Sequence, residues 1–178
     1  MPPYVAFLRG INVGGHRVKM DRLRGLFEDL GFQDVSTFVA SGNVLFSSDS
    51  SDSGSMRTGI EAHMARELGY EVPTFIRNPG ELAMITSGDA PEGSDSGSHH
   101  VIFLHAPPPD SLRDDLVRLT SEVDSFEVSG REIHWRIRGR MSESPLFGGE
   151  LDRALRGIPN TSRNMNTLRR IVARVAAA

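Results

Sequence analysis

The sequence contains no cysteine, only one tryptophan and two tyrosines, and no long run of apolar residues. Without cysteine the chain cannot form a disulfide, use a thiol nucleophile or bind a metal through thiolates, and a cytoplasmic location is the default expectation. No stretch approaches the ~18 apolar residues of a membrane-spanning helix. The apolar stretch at the N terminus is too short for a secretory signal, so we expect no association with a membrane.

Several enzyme signatures are also missing. The early glycines match neither G-x-G-x-x-G nor the phosphate-loop spacing G-x-x-x-x-G-K-[ST], and no G-x-S-x-G elbow occurs. The six histidines form no H-x-x-x-H pair and have no carboxylate at zinc-ligand spacing. We therefore predict no metal and no cofactor. The sequence shows no platform of exposed aromatic residues, so a nucleic-acid partner is only weakly supported.

The charge of the chain is unevenly distributed along its 178 residues, although the net charge is only −3. Residues 1–130 contain 10 basic and 19 acidic residues, whereas residues 131–178 contain 10 arginines and four acidic residues. The first 25 residues are also basic. If the fold brings the two ends together, one face would attract anions; alternatively, the basic ends neutralise the acidic middle.

The first part of the chain, residues 1–86, has the pattern of an α+β domain. Residues 4–8 predict a buried strand, and apolar residues at helical spacing follow from Met20 to Leu30. Residues 34–47 alternate around the turn sequence ASGN, which predicts a hairpin, and a second helix precedes a strand at residues 72–77. The order β-α-β-β-α-β is that of a ferredoxin-like, split βαβ domain.

A Ser-, Gly- and Asp-rich segment, residues 87–100, is predicted to be a flexible linker. The remaining residues, 101–178, predict a second α/β subdomain that ends in a C-terminal helix. They contain a strand, a helix that begins at Asp110 or Ser111, two strands around the sequence SGR, a helix from about Pro145 to Arg156 and a final helix. This predicted order, β-α-β-β-α-α, partly repeats the first half without detectable sequence identity.

The segment LRGINVGGHRVKM, residues 8–20, follows the first predicted strand and contains three glycines, four basic or titratable side chains and no acid. Glycine lets backbone N–H groups point into a concavity, and the helix predicted from about Val18 would offer its positive N-terminal end to an anion. The candidate ligand-binding residues are Arg9, Asn12, Gly14, Gly15 and Lys19. Two interpretations stay open: an anion site, or a tight connection in which the glycines supply positive φ and the basic side chains are solvated.

A second candidate stretch, TSRNMNT at residues 161–167, crowds hydroxyl and amide side chains around one arginine. One such side chain is enough to cap the final helix. So many donors at the start of a helix are also what a polar ligand needs. The candidates here are Arg163, Asn164, Asn166 and Thr167.

The sequence SGN, residues 41–43, is a third candidate. A two-residue hairpin turn explains it. Ser41 and Asn43 could nevertheless face a ligand beside the first loop.

These stretches resemble the signatures of a bacterial family known as domain of unknown function 1697. The segment YVAFLRGINVGG, the helix end before Gly31, the SGN hairpin and the ending TSRNMNT are all similar to that family's motifs, and the resemblance extends over nearly the whole chain. It implies an α+β fold with ferredoxin-like elements and no catalytic residue. Two positions depart from the family pattern: Met165 stands where the family usually has tryptophan, and Pro145 stands where we expect a lysine.

We therefore expect a cytoplasmic binding protein in which the LRGINVGG loop and the TSRNMNT segment form one polar, positive cleft for a phosphorylated small molecule or other anion. One alternative is a phosphoryl- or group-transfer enzyme in which His16, the histidine beside the glycines, is the general base. A second alternative is a structural or regulatory oligomer without a ligand. The sequence does not determine the oligomeric state.

Overall fold

The computed structural model describes residues 1–39, 42–88 and 97–178. Its backbone divides into two compact units: Met1–Thr86 together with Arg169–Ala178 form unit 1, and Ser87–Leu168 form unit 2. The final residues of the chain, which the sequence pattern assigns to the second half, thus belong to the first compact unit. Residues 89–96 of the predicted linker lie outside the described residues, and a strand already begins at Ser98.

Unit 1 contains the predicted order β-α-β-β-α-β followed by one further helix. Its elements are β1 (Pro3–Leu8), α1 (Met20–Glu28), β2 (Gln33–Thr37), β3 (Asn43–Ser47), α2 (Ser53–Leu68), β4 (Thr74–Arg77) and α3 (Pro79–Ile85). The strands form an antiparallel sheet in the order β2-β3-β1-β4, so β3 lies between the two strands that flank α1. The combination of helices and strands predicted from the sequence is confirmed.

Helix α3 is not predicted from the apolar periodicity because it is short. Its start is nevertheless written in the sequence: the Asn78 side chain accepts a hydrogen bond from the Glu81 N–H, and the Glu81 side chain accepts one from the Asn78 N–H, both at 2.8 Å. Pro79 occupies the first helical position, where its missing N–H has no cost. The sequence NPGE, residues 78–81, therefore indicates the start of this helix.

The core of unit 1 lies between one face of the sheet and helices α1 and α2. Leu23 and Phe27, one helical turn apart on α1, and Ile60 and Met64 on α2 are all at most 1% exposed. The same cluster includes alternate residues of β1, namely Tyr4, Ala6 and Leu8. Burial of each large apolar side chain stabilises the fold by roughly 1.5–3 kcal/mol. Burial of Leu8, the last residue of β1, therefore fixes the point at which the following loop begins.

Unit 2 contains a second antiparallel sheet. Its elements are β5 (Ser98–Leu104), α4 (Asp110–Leu119), β6 (Asp124–Ser129), β7 (Glu132–Ile137), a short 3-10 helix (Met141–Glu143), α5 (Glu150–Ala154) and β8 (Asn160–Asn164). Helix α6 (Met165–Ala176) follows β8 directly and continues into unit 1. The sheet order is β6-β7-β5-β8. No helix in the described ranges is both long and apolar enough to cross a membrane.

The predicted order of the second half needs two corrections. Residues 160–164, taken as part of a connection into the last helix, form β8, which pairs with β5. The strand was missed because its sequence, NTSRN, has no apolar alternation and its side chains lie at the edge of the sheet. The helix predicted from about Pro145 to Arg156 is reduced to Glu150–Ala154, because Gly148, with φ of +68°, interrupts it.

With β8 included, the two units share one strand plan. In unit 1, β3 lies on one side of β1 and β4 lies on the other side. In unit 2, β7 lies on one side of β5 and β8 lies on the other side. The recurrence seen in the sequence as partial element order therefore extends to strand pairing.

The core of unit 2 lies on the face of its sheet that carries Trp135, which is 3% exposed as its alternation with isoleucines predicts. The indole N–H of Trp135 donates to the Asp124 carboxylate at 2.8 Å, and the Ser144 hydroxyl donates to the same oxygen at 2.8 Å. These bonds attach the segment after β7 to the start of β6. The pair satisfies the polar end of the tryptophan in the core.

Candidate functional site

The segment between β1 and α1, residues 9–19, forms a loop that we call the glycine loop. Val13 and His16 form an isolated antiparallel bridge, and the His16 N–H donates to the Val13 carbonyl at 3.2 Å. Gly14 and Gly15 are the two turn residues between them, and Gly14 has a φ of +63°, which glycine adopts without steric cost. Both glycines are exposed, and no atom lies within 4 Å of the position that a Cβ would take at either one. The tip of the loop is open to close approach by a ligand.

Two apolar residues at the base of the glycine loop are buried in the core of unit 1. Ile11 and Val18 belong to the unit 1 core and are 5% and 6% exposed. Between them, Asn12 has a φ of +58°, and its side-chain oxygen accepts a hydrogen bond from the Val18 N–H at 2.6 Å. Asparagine tolerates this left-handed conformation better than most residues. Asn12 therefore shapes the loop through a contact within it.

Three cationic residues flank the tip of the glycine loop along the chain. Arg9, Arg17 and Lys19 are exposed, and the Arg9 backbone N–H donates to the Pro73 carbonyl at 3.0 Å. Within the described residues, the side chains of Arg17 and Lys19 form no ion pair. The N–H groups of Gly14 and Gly15 donate to no protein acceptor in the same part of the chain. Two backbone donors and two cations are thus available to an anion.

The His16 ring stacks on Tyr70, the residue after the glycine that ends α2, with ring centroids 3.8 Å apart and planes inclined by 23°. The Tyr70 hydroxyl is buried and has no hydrogen-bond partner in the described residues. The His16 ring nitrogens also lack a hydrogen-bond partner there. A catalytic base is normally oriented by a third group, so His16 as a general base stays a prediction without an orienting contact in this structure.

Gly42 and Asn43 lie at the same end of the unit 1 sheet as the start of the glycine loop. The Leu8 N–H donates to the Gly42 carbonyl at 2.7 Å, and Phe7 faces Asn43 in the strand register. Asn43 is only 2% exposed, and its amide nitrogen donates to the carbonyls of Phe38 and Val39, both at 3.1 Å. The Asn43 amide therefore bonds to the backbone at the end of β2. Ser41, the other candidate here, lies outside the described residues.

The TSRNMNT segment forms the junction between β8 and α6. Arg163 is half-buried and donates from one guanidinium nitrogen to the Thr161 hydroxyl and to the Ser162 carbonyl, both at 2.8 Å. Burial lowers the pKa of Arg163 to about 10, which leaves the guanidinium charged at neutral pH. The Asn164 side chain accepts a hydrogen bond from the Asn166 N–H at 2.8 Å. Asn166 is exposed and Thr167 is half-buried.

The structure thus brings the glycine loop, Gly42 and Asn43 together in unit 1, whereas Arg163 and Asn164 belong to unit 2. One cleft formed by both segments stays a prediction. Sequence reasoning missed Tyr70, because no sequence pattern links an aromatic residue after α2 to a histidine in a loop before α1.

The two positions that we expect to depart from the family pattern occupy different environments. Met165 is 2% exposed and belongs to the interior. Pro145 is exposed, on the segment between the 3-10 helix and α5. Its preceding residue, Ser144, is buried and bonded to Asp124.

Comparison with known proteins identifies the family and the fold. Residues 1–134 match the family described as "Protein of unknown function (DUF1697)", and the chain belongs to this family. No protein with a curated description matches the sequence significantly. Among solved structures, the chain is similar to the conserved bacterial protein SP0830 from Streptococcus pneumoniae, with a TM-score of 0.76, 18% sequence identity and coverage of 99% of both chains. At this identity the similarity shows a shared fold.

Proposed function

We propose that this family member is a cytoplasmic binding protein whose glycine loop holds the phosphate group of a small phosphorylated molecule. One observation carries the proposal: the N–H groups of Gly14 and Gly15 have no protein acceptor in the described residues, and the cations of Arg17 and Lys19 beside them have no ion pair there. Backbone donors at a glycine turn and flanking cations form a common arrangement for binding a phosphate.

The fixed shape of the loop supports this function. The core residues Ile11 and Val18, the bond from Val18 to Asn12, and the stack of His16 on Tyr70 restrain the loop on both sides of its tip. A loop that is ordered before binding loses less conformational entropy when the ligand arrives. Because the tip and its cations are exposed, we expect binding to weaken as the salt concentration rises.

The experiment is a titration with ribose 5-phosphate, and with ribose as the uncharged control, by isothermal calorimetry at low ionic strength. Gly15→Ala is the sharpest variant, because its φ is not in the left-handed region and a Cβ there meets no protein atom, so the methyl group obstructs only a ligand. Arg17→Gln and Lys19→Gln each remove one cation. Arg156→Gln, an exposed arginine of unit 2, is the control for loss of one positive charge.

We expect ribose 5-phosphate to bind the wild type and ribose not to bind. Each of the three loop variants should weaken binding at least about tenfold, since a hydrogen bond to a charged group contributes about 1.5–3 kcal/mol and a tenfold change in affinity corresponds to about 1.4 kcal/mol. The Arg156→Gln control should bind as the wild type does. Equal affinities in the wild type and all three loop variants, or no binding of ribose 5-phosphate to the wild type, would contradict the proposal.

For the TSRNMNT segment, the contacts favour a local structural role as a second candidate. The Asn164 side chain accepts a hydrogen bond from the Asn166 N–H in the first turn of α6, and Arg163 bonds within its own strand. Asn164→Ala should then destabilise the protein by about 1 kcal/mol, the usual cost of losing such a cap. It should leave ribose 5-phosphate binding unchanged; a loss of affinity with unchanged stability would instead make Asn164 a ligand contact.

A further inference from the structure

A cavity of about 660 Å³ lies in unit 1 where β1 begins and β3 ends. The strands form one wall, and the last turns of α6, which belong to the same unit, form another through Arg174 and Val175. The glycine loop follows the opposite end of β1, roughly 17 Å away at ~3.3 Å per strand residue. The cavity is therefore separate from the proposed phosphate site, and its volume is in the usual range for small-molecule sites, about 300–1,000 Å³.

The strand register decides which side chains face the cavity. Leu45 and Ser47 flank Phe46 along β3, so their side chains lie on the opposite face of the sheet from Phe46. The rings of Tyr4 and Phe46 stack on each other within the core that faces α1 and α2. Leu45 and Val175, with Met1, Pro3 and Ala178, therefore form the apolar surface of the cavity. This surface suits a hydrocarbon or aromatic group of a ligand.

Four residues with polar side chains line the same cavity: Asp34, Ser36, Ser47 and Arg174. Among the residues that the structure describes, none of these four side chains forms a hydrogen bond or an ion pair. Asp34 and Arg174, although they line one cavity, are therefore not paired with each other. A carboxylate and a guanidinium that share a cavity without pairing can each bind the opposite charge of one ligand.

The backbone holds Asp34 in its position. Asp34 has a φ of +51°, and the pairing of β2 with β3 shifts register between Gln33 and Ser36. An irregularity of this kind redirects a side chain relative to a regular strand. The left-handed conformation costs free energy for any residue with a Cβ, and in this protein it places a carboxylate at the cavity.

We propose that the cavity binds a small zwitterion with an apolar body, namely an α-amino acid with a large apolar side chain. Its carboxylate pairs with Arg174, its ammonium group pairs with Asp34, and its side chain lies against Leu45 and Val175. The hydroxyls of Ser36 and Ser47 supply further hydrogen bonds. A planar guanidinium binds a carboxylate through two parallel hydrogen bonds, which gives the site its orientation.

The test uses the full chain and three probes of one shape: L-phenylalanine, 3-phenylpropionate, which lacks the ammonium group, and 2-phenylethylamine, which lacks the carboxylate. Dissociation constants are measured by calorimetry or by ligand-observed NMR. The variants are Arg174→Gln and Asp34→Asn, because asparagine tolerates the positive φ of this position as well as aspartate does. Arg156→Gln is the matched control, and thermal unfolding checks that each variant is folded.

We expect the wild type and Arg156→Gln to bind L-phenylalanine saturably and at least tenfold more tightly than either truncated probe. Arg174→Gln should weaken L-phenylalanine binding at least tenfold. In Asp34→Asn, L-phenylalanine should lose its advantage over 3-phenylpropionate. The proposal is overturned if L-phenylalanine does not bind the wild type, if Arg174→Gln binds it equally well, or if 3-phenylpropionate binds the wild type as tightly as L-phenylalanine.

Discussion

The ring of His16 lies on the ring of Tyr70 at a centroid distance of 3.8 Å, and this contact ties the tip of the glycine loop to the end of α2. Gly69, with a φ of +82°, ends that helix and turns the chain so that Tyr70 lies under the loop. On the other side of the tip, Asn12 accepts a hydrogen bond from the Val18 N–H. The loop is thus restrained on both sides of Gly14 and Gly15, and its two turn N–H groups stay at the surface.

Removal of the Tyr70 hydroxyl should not destabilise the protein, whereas removal of the ring should. The hydroxyl is buried without a hydrogen-bond partner in the described residues, and a buried polar group in that state costs about 1–3 kcal/mol. Tyr70→Phe keeps the ring under His16 and should be at least as stable as the wild type in urea unfolding. Tyr70→Ala removes the ring and should destabilise the protein. A loss of more than about 1 kcal/mol in Tyr70→Phe would mean that the hydroxyl does have a partner.

The two turn glycines should respond differently to alanine. Gly14 has a φ of +63° and Gly15 has no φ in the left-handed region. Gly14→Ala should lower the free energy of unfolding by about 1–2 kcal/mol, the cost of placing an L-residue in that conformation. Gly15→Ala should leave it unchanged or raise it slightly, since alanine restricts the unfolded chain. Equal destabilisation by both substitutions, measured by urea unfolding, would be inconsistent with this turn.

Asn43 should be a stability residue. Its buried amide donates to the Phe38 and Val39 carbonyls, and Asn43→Ala leaves those acceptors unpaired at a cost of about 1–3 kcal/mol. Asn166→Ala is the matched control, because Asn166 is exposed and its side chain makes no hydrogen bond in the described residues. Chemical denaturation of the two variants should differ by at least ~1 kcal/mol. If both behave as the wild type does, the amide of Asn43 is not needed to close the turn.

The fold was largely readable from the sequence because most elements bury one regular apolar face. Leu23, Phe27, Ile60 and Met64 recur at helical spacing and occupy the core, so α1 and α2 were predicted. The strand β8 has no such face: its residues are polar, and its position depends on hydrogen bonds to β5. No local pattern reports pairing with a strand some 60 residues earlier in the chain.

In the candidate sites, too, residues that are adjacent in sequence were predicted together, and contacts between distant residues were not. The glycines and cations of the loop are adjacent in sequence, and their cluster was predicted. Tyr70 contacts His16, and Arg174 lines one cavity with Asp34, although a long stretch of chain separates the two residues of each pair. Asn43 and Asn164 were candidates as ligand donors, but whether an amide faces a ligand or its own backbone depends on the turn that it closes.

Protonation of buried and half-buried histidines should make the protein less stable in mild acid. His100, on β5, is 8% exposed beside Trp135, and its Nε2 has no hydrogen-bond partner in the described residues. Burial lowers the pKa of His100 below its usual value of 6.5. The pKa of His134 is also lowered, first by burial and then by the nearby charge of Arg136. Between each lowered pKa and 6.5, the unfolded chain binds more protons than the folded protein.

The free energy of unfolding should therefore be constant above about pH 6.5 with respect to these groups, and should decrease as the pH falls below that value until the folded pKa values are passed. His100→Phe, which keeps an aromatic ring beside Trp135, should remove the His100 share of this decrease while His134 retains its own. Urea unfolding of both proteins at pH 7.5 and 5.5 measures the difference: the wild type should lose more stability between the two values than His100→Phe does. An equal loss in the two proteins would show that the His100 imidazole takes up its proton as readily in the folded protein as in the unfolded chain, which its buried Nε2 argues against.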